Sequence, residues 1–170
     1  VTRLVLVIYR GLPGSGKSTA ARKWVAADPA GRARVNRDTL REMMHDGTYI
    51  AHVTEPAVCA ARDALIRALL GRGISVAVDD TNLPGEVVRH LGMLAEQAGA
   101  AAQIADLRGV LLETCIERDA RRPPSAQVGA EKITAMYESF VRGGAGRADL
   151  ASQAGPIAGL GRDAYREKQC

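Results

Sequence analysis

The chain has 170 residues, 46% of them hydrophobic, and a formal charge of +4. That is one domain's length, enough to bury a core without disulfides or a structural metal, and no stretch approaches the ~20 apolar residues of a membrane span. The positive charge is carried by 19 arginines and 4 lysines. Arginine suits bidentate phosphate recognition, although a GC-rich coding sequence would enrich it equally. Cys59, Cys115 and Cys170 are odd in number, far apart and without C-x-x-C spacing. They argue against a zinc site or disulfide framework and for a reduced, cytoplasmic protein, with Cys59 and Cys115 as buried thiols.

The run Leu4 to Ile8 is continuously apolar and β-branched, the pattern of a strand buried on both faces of a parallel sheet. It is too short for a secretory leader and leads into a glycine loop. A helix follows from Lys17 to about Ala27 and stops at Asp28-Pro29-Ala30-Gly31. Ala33 to Asn36 reads as a short second strand, and a short helix opens near Asp38 and ends near Gly47. Thr54-Glu55-Pro56 starts a longer helix with Val58, Ala61, Leu65 and Leu69 on one face, closed by Gly71 and Gly73. Ile74 to Val78 is another buried strand, followed by the loop Asp79 to Asn82. Pro84-Gly85 opens a helix with Val87, Leu91, Leu94 and Ala98 aligned; Ala101 to Leu107 is a strand; and a helix runs from about Glu113 to Arg122. After Pro123-Pro124-Ser125, the positions Ile133, Met136, Tyr137, Phe140 and Val141 make an apolar helical stripe. From Gly143 the periodicity dissolves, so residues 1–142 are expected to form the domain and residues 143–170 a weakly ordered or loosely packed Gly/Ala-rich tail. Strands alternating with helices predict a three-layer α/β/α fold with a central parallel sheet and a helical lid.

Gly11-Leu12-Pro13-Gly14-Ser15-Gly16-Lys17-Ser18 matches the full phosphate-loop pattern, placed between a strand and a helix as the pattern requires. Glycines let backbone N–H groups turn around a phosphate, and the helix N-terminus adds partial positive charge. Lys17 neutralises the β/γ oxygens and the Ser18 hydroxyl is suited to magnesium. Gly14, Ser15, Gly16, Lys17, Ser18 and Thr19 are therefore the expected contacts to ATP or another nucleoside triphosphate, with Mg2+.

The loop alone does not give the phosphate a destination. A GTPase switch needs a base-reading N-K-x-D, which is absent, and Asp106-Leu107-Arg108-Gly109 is a chance D-x-x-G at the end of a late strand. Val76-Ala77-Val78-Asp79-Asp80 has the look of the acidic strand of an ATPase, so a hydrolysing binding module stays open. The case for a kinase rests on Asp38 and Arg41. Asp38 follows the second strand, and strand C-termini face the ligand crevice in such sheets. A carboxylate there can accept a proton from an attacking hydroxyl, and Arg41, one turn on, can hold an anionic group. The same two residues would serve equally as a helix cap paired with an arginine. Arg118 and Arg122, four apart, can clamp a transferring phosphoryl group, or form a solvated basic face with Asp119 pairing Arg122.

Taken together, these segments resemble the 5′-kinase domain of the phage and bacterial polynucleotide kinases. The likeness is carried by Gly11 to Thr19, Val35 to Arg41, Val78 to Leu83, Cys115 to Arg122 and Val128 to Ile133 with Met136 and Tyr137, over roughly residues 3–141. It implies transfer of the γ-phosphate of ATP to a 5′-hydroxyl end of DNA or RNA, in a phage or bacterial host cytoplasm, with nucleic acid as the partner. It implies Lys17 and Ser18 as phosphate and magnesium contacts, Asp38 as general base, and Arg41 on the acceptor's 3′-side phosphate. Arg118 and Arg122 become lid arginines, with Arg122 nearest the chemistry. Asp79, Asp80, Thr81 and Asn82 would line the acceptor side or orient magnesium waters. The D-x-D-G-T signature of an attached phosphatase is absent, so 3′-phosphatase activity is not expected. The alternatives are a kinase of the same group acting on a small alcohol, and a module that passes phosphate to water. Tyr49 and His52, after the Asp38 helix, are candidates for stacking on a base or plain surface residues; His45 and His90 read as surface histidines, and Trp24 as packing for the first helix.

Overall fold

A computed structural model describes residues 4–142. In chain order the elements are β1 (Val5–Arg10), α1 (Lys17–Ala26), β2 (Arg32–Val35), α2 (Arg37–His45), α3 (Thr54–Gly71), β3 (Ser75–Val78), α4 (Gly85–Gln97), β4 (Ala101–Asp106), α5 (Leu112–Ala120) and α6 (Ala130–Tyr137). A 3-10 turn at Pro124–Ala126 links α5 to α6, and a π-helical turn at Glu138–Arg142 extends α6. The expected tail from residue 143 lies outside the described residues. No described helix is long and apolar enough to cross a membrane.

The sheet is fully parallel in the order β2-β3-β1-β4, with Leu6 opposite Val76 and Ala102, and Val35 opposite Val78. The apolar runs of β1 and β3 fill the two central places, where both faces are covered. On one face Leu6, Ile8, Val76 and Val78 pack against Leu40 of α2, Val58, Ile66 and Leu70 of α3, and Leu91 and Leu94 of α4. On the other, Val7, Tyr9 and Ala77 pack against Ala21 and Trp24 of α1. A third cluster, Leu12, Leu83, Cys115 and Ile133 with Met136, Tyr137, Phe140 and Val141 around it, ties the phosphate loop to α5 and α6. The three layers and the parallel sheet are those expected. The edge strand β4 departs from the expectation of coverage on both faces: Ala102, Gln103 and Ile104 are exposed among the described residues.

Three local readings are corrected. The second strand stops at Val35, and Asn36 is the cap of α2; its Oδ1 accepts from the backbone N–H of Thr39 at 3.0 Å. Asp38 is therefore inside the first turn. The buried face of α3 is Val58, Arg62, Ile66 and Leu70, while Leu65 is 40% exposed; hydropathy alone could not place Arg62 inside, because its burial depends on ionic partners on other elements. Helix α5 ends at Ala120 rather than Arg122, since the residue before a proline is biased away from helical geometry.

Candidate active site

The phosphate loop leaves the C-terminal end of β1 and turns into α1. Gly16 caps α1 in a left-handed conformation (φ 97°), with no side-chain cap and no acidic residue in the first turn. The N–H groups there have no internal anion, which leaves the helix end suited to one from outside. Gly14 has φ 81°, and a Cβ on it would lie 2.2 Å from the carbonyl oxygen of Cys115, so only glycine lets the loop lie against α5. Lys17 is 6% exposed. Its Nζ donates to the carbonyl oxygens of Gly11 (2.8 Å) and Leu12 (2.7 Å), with the Ser15 hydroxyl at 3.4 Å. Burial lowers its pKa to about 8; Asp79 opposes that shift and Arg122 adds to it.

Gly14, Gly16, Lys17, Ser18, Thr19, Lys23, Arg118 and Arg122 line a cavity of about 510 Å³. All but Lys23 were expected at the donor. Ser15 is 3% exposed and sits behind this lining. Arg118 Nη1 reaches the Gly14 carbonyl oxygen at 3.4 Å. Arg122, although two residues past the end of α5, faces the same cavity, and it also lies 3.3 Å from Asp119. Arg122 thus borders the phosphate-loop cavity and pairs with Asp119 at the same time.

Lys17, Ser18 and Arg122 also border a second cleft of about 490 Å³, with Asn36, Arg37, Asp38, Arg41, Tyr49, Asp79, Asp80, Thr81, Val128, Lys132 and Met136. Asp38 thus shares one space with the phosphate loop. Its carboxylate is 85% exposed and accepts from Arg41 Nη1 at 2.7 Å. Arg41 is held from the other side by buried Glu55 and lies 5.4 Å from the centroid of the Tyr49 ring. Behind them, Asp79 accepts both hydrogen bonds of the Arg34 guanidinium at 2.8 Å. Asp80 accepts from the backbone N–H of Arg37 at 2.8 Å, with Arg62 Nη1 3.8 Å away. Burial pushes the Asp80 carboxyl above its usual range, against the pull of Arg37 and Arg62.

Asn82, expected on the acceptor side, does not line this cleft. Its Nδ2 donates to the carbonyl oxygens of Tyr9 (2.8 Å) and Val78 (3.3 Å), and Arg10 Nε donates to the Asn82 carbonyl at 3.1 Å. The carbonyls at the ends of β1 and β3 need donors, and Asn82, in a left-handed backbone conformation (φ 45°), supplies them.

The sequence reading missed Glu55, Asp119, Lys132 and the buried group Arg62, Asp63 and His90. His90 is 8% exposed and its Nε2 contacts Asp63, so it is no surface histidine. Asp119 was visible only as a partner for Arg122. Glu55, Asp63 and Lys132 carried no local signal, because each acts on an element distant in sequence.

Among the described residues, no group of three acidic, histidine or cysteine side chains could hold a metal alone. Magnesium carried mainly by phosphates and water does not need one, and Ser18 lines both cavities.

The family model described as an AAA domain matches residues 6–142. No curated protein sequence matches the chain. Among solved structures, a chain of a Pnkp1/Rnl/Hen1 complex is similar at 27% identity and TM-score 0.62, over 68% of this chain and 39% of that one. A chain of the Pnkp1/Rnl/Hen1 RNA repair complex is similar at 23% identity and TM-score 0.65, over 81% of this chain and 45% of that one. The APS kinase CysC of Mycobacterium tuberculosis, in complex with AMPPNP and APS, is similar at 20% identity and TM-score 0.56, over 70% of each chain. The latter two likenesses are of fold. The chain spans less than half the length of the two repair-complex chains.

Proposed function

The chain belongs to the AAA domain family and carries a P-loop nucleoside-triphosphate-binding fold of the kinase-like kind, and from that footing we propose that it is a polynucleotide 5′-hydroxyl kinase. The observation that carries this reading is the single cleft with Lys17, Ser18 and Arg122 at one end and Asp38, Arg41 and Tyr49 at the other. A triphosphate on the loop would point its γ-phosphate into that cleft.

In this reading Asp38 accepts the proton of the acceptor's 5′-hydroxyl and orients its oxygen at the γ-phosphorus. The new O–P bond forms as the bond to the β–γ bridging oxygen breaks, and ADP leaves with that electron pair. Little covalent chemistry falls to the protein, so positioning and charge stabilisation carry the rate. Arg41 would hand its Asp38 contact to the acceptor's phosphate; an exposed pair of this kind is worth little, so the exchange is cheap. Lys17, Arg118 and Arg122 would hold the donor phosphates as charge shifts to the leaving oxygen. Ser18 would hold magnesium, which neutralises the β- and γ-oxygens when bound.

The cleft's charge favours a polyanionic acceptor over a neutral alcohol. Lys17, Arg37, Arg41, Arg122 and Lys132 border it against Asp38, Asp79 and Asp80, and Lys132 makes no ion pair with a described residue. Nucleic acid as substrate follows from this charge and from the resemblance.

The test is an acceptor panel: γ-labelled ATP and magnesium with a 5′-hydroxyl oligonucleotide, a nucleoside 3′-phosphate, a nucleoside, a sugar alcohol, or water alone. Label on the oligonucleotide's 5′ end, with weaker transfer to the nucleoside, is expected. Equal transfer to the neutral alcohols contradicts the polynucleotide assignment, and label passing only to water contradicts the kinase assignment.

A further inference from the structure

One buried carboxylate contacts both Arg122 and the start of α6. Asp119, in the last turn of α5, is 2% exposed. Its Oδ2 accepts from the backbone N–H groups of Val128 and Gly129, both at 2.9 Å. Its Oδ1 lies 3.3 Å from Arg122 Nη1 and accepts no hydrogen bond, so that contact is an ion pair. The connection is also tied by Gln127 Nε2, which donates to the carbonyl oxygens of Ala120 and Arg122, and by the apolar cluster around Cys115 and Ile133.

The two sets of contacts reach different walls. Arg122 borders the donor cavity and, with Lys17 and Ser18, the phosphate-loop end of the second cleft. Val128 borders the acceptor cleft, and Gly129 (φ 91°) caps α6, which brings Lys132 and Met136 to the same wall. A buried carboxylate is costly unless paired and hydrogen-bonded. Here it has two amide donors and one guanidinium, each fixing a different part of the lid.

Resting on the kinase reading above, we propose that Asp119 is a positioning residue that sets both halves of the cleft. Its charge holds Arg122 toward the donor phosphates, and its two backbone hydrogen bonds hold Val128 and the start of α6 at the acceptor wall. The two actions are separable by substitution. In Asp119→Asn the amide oxygen still accepts from Val128 and Gly129, while the NH2 group faces Arg122 and the anchor is lost. In Asp119→Ala both are lost.

The test measures kcat and both KM values for label transfer to a 5′-hydroxyl oligonucleotide, in single variants and combined with Arg122→Ala. Asp119→Asn is expected to lower kcat about tenfold or more, as misplaced catalytic groups do, with the acceptor KM unchanged. In the Arg122→Ala background the same substitution is expected to change kcat by less than about twofold, since its route is already gone. Asp119→Ala is expected to raise the acceptor KM severalfold as well. An equal kcat loss with and without Arg122, unchanged kcat for Asp119→Asn, or an acceptor KM raised as much by Asn as by Ala overturns the proposal. Should Asp119→Ala fail to fold, the Asn cycle decides alone. If the wild-type chain labels no oligonucleotide, the kinase reading fails, and the same cycle read on phosphate release to water decides whether Asp119 acts through Arg122.

Discussion

Lys17 is surrounded by carbonyl oxygens yet buried enough that its pKa falls to about 8. The triphosphate's oxygens would replace those carbonyls and favour the ammonium form, raising that pKa. Binding ATP above pH 8 is therefore linked to proton uptake, and affinity falls as pH rises through about 8. Calorimetry at pH 8.5 in two magnesium-free buffers of different ionisation enthalpy checks this: the apparent binding enthalpies should differ, and identical values contradict it. Gly14 is tested by Gly14→Ala. The left-handed conformation costs about 1–2 kcal/mol for alanine, and the contact with the Cys115 carbonyl adds to it. Lower melting temperature together with lost ATP binding is expected; a wild-type melting temperature contradicts the packing of loop on α5. Glycine and lysine types at these positions were legible from the motif. Asp38 was legible only in part, because choosing between helix cap and cleft residue required knowing that Asn36 takes the cap.

At the scale of elements, α3 is the instructive case. Its hydrophobic spacing predicted a face centred on Ala61 and Leu65, and the folded face is turned toward Arg62 and Ile66. Arg62 is buried because Asp63 accepts from it at 2.9 Å and Asp80, at the end of β3, lies 3.8 Å away. Periodicity sees apolar side chains, and a buried ion pair is invisible until both partners are placed. Arg62→Leu should leave Asp63 to His90 alone and Asp80 to Arg37 alone, and cost about 3 kcal/mol, read as a lower urea midpoint. An unfolding free energy within about 0.5 kcal/mol of wild type would mean the network is not structural. The strands and the α4 and α6 stripes were legible because their partners are apolar and any apolar neighbour satisfies them. The end of α5 was misplaced by two residues because Arg122 is set by the prolines after it and by Asp119 before it.

For the whole molecule, the sheet order brings the ends of β1, β2 and β3 side by side, so residues far apart in sequence meet in one cleft. The α/β alternation made the parallel sheet legible but not its strand order; the cleft wall from α6 was not legible either, since Lys132 and Val128 reach the cleft only in the folded chain. On the kinase reading, a cleft of this charge would bind a polyanion in a salt-dependent way. Two phosphate contacts on a single strand imply an acceptor KM rising about sevenfold between 50 and 200 mM salt. A flat acceptor KM would contradict phosphate contacts as the basis of recognition. The central claim is that Asp38 and the phosphate loop serve one transfer. The direct measurement is transfer of label from γ-labelled ATP to a 5′-hydroxyl oligonucleotide by the wild-type chain and by Asp38→Ala, with ATP affinity measured alongside. Label on the 5′ end of the wild-type product, lost in Asp38→Ala while ATP affinity stays near wild type, is the predicted result. Undiminished transfer by Asp38→Ala, or no label on the oligonucleotide with the wild-type chain, would contradict it.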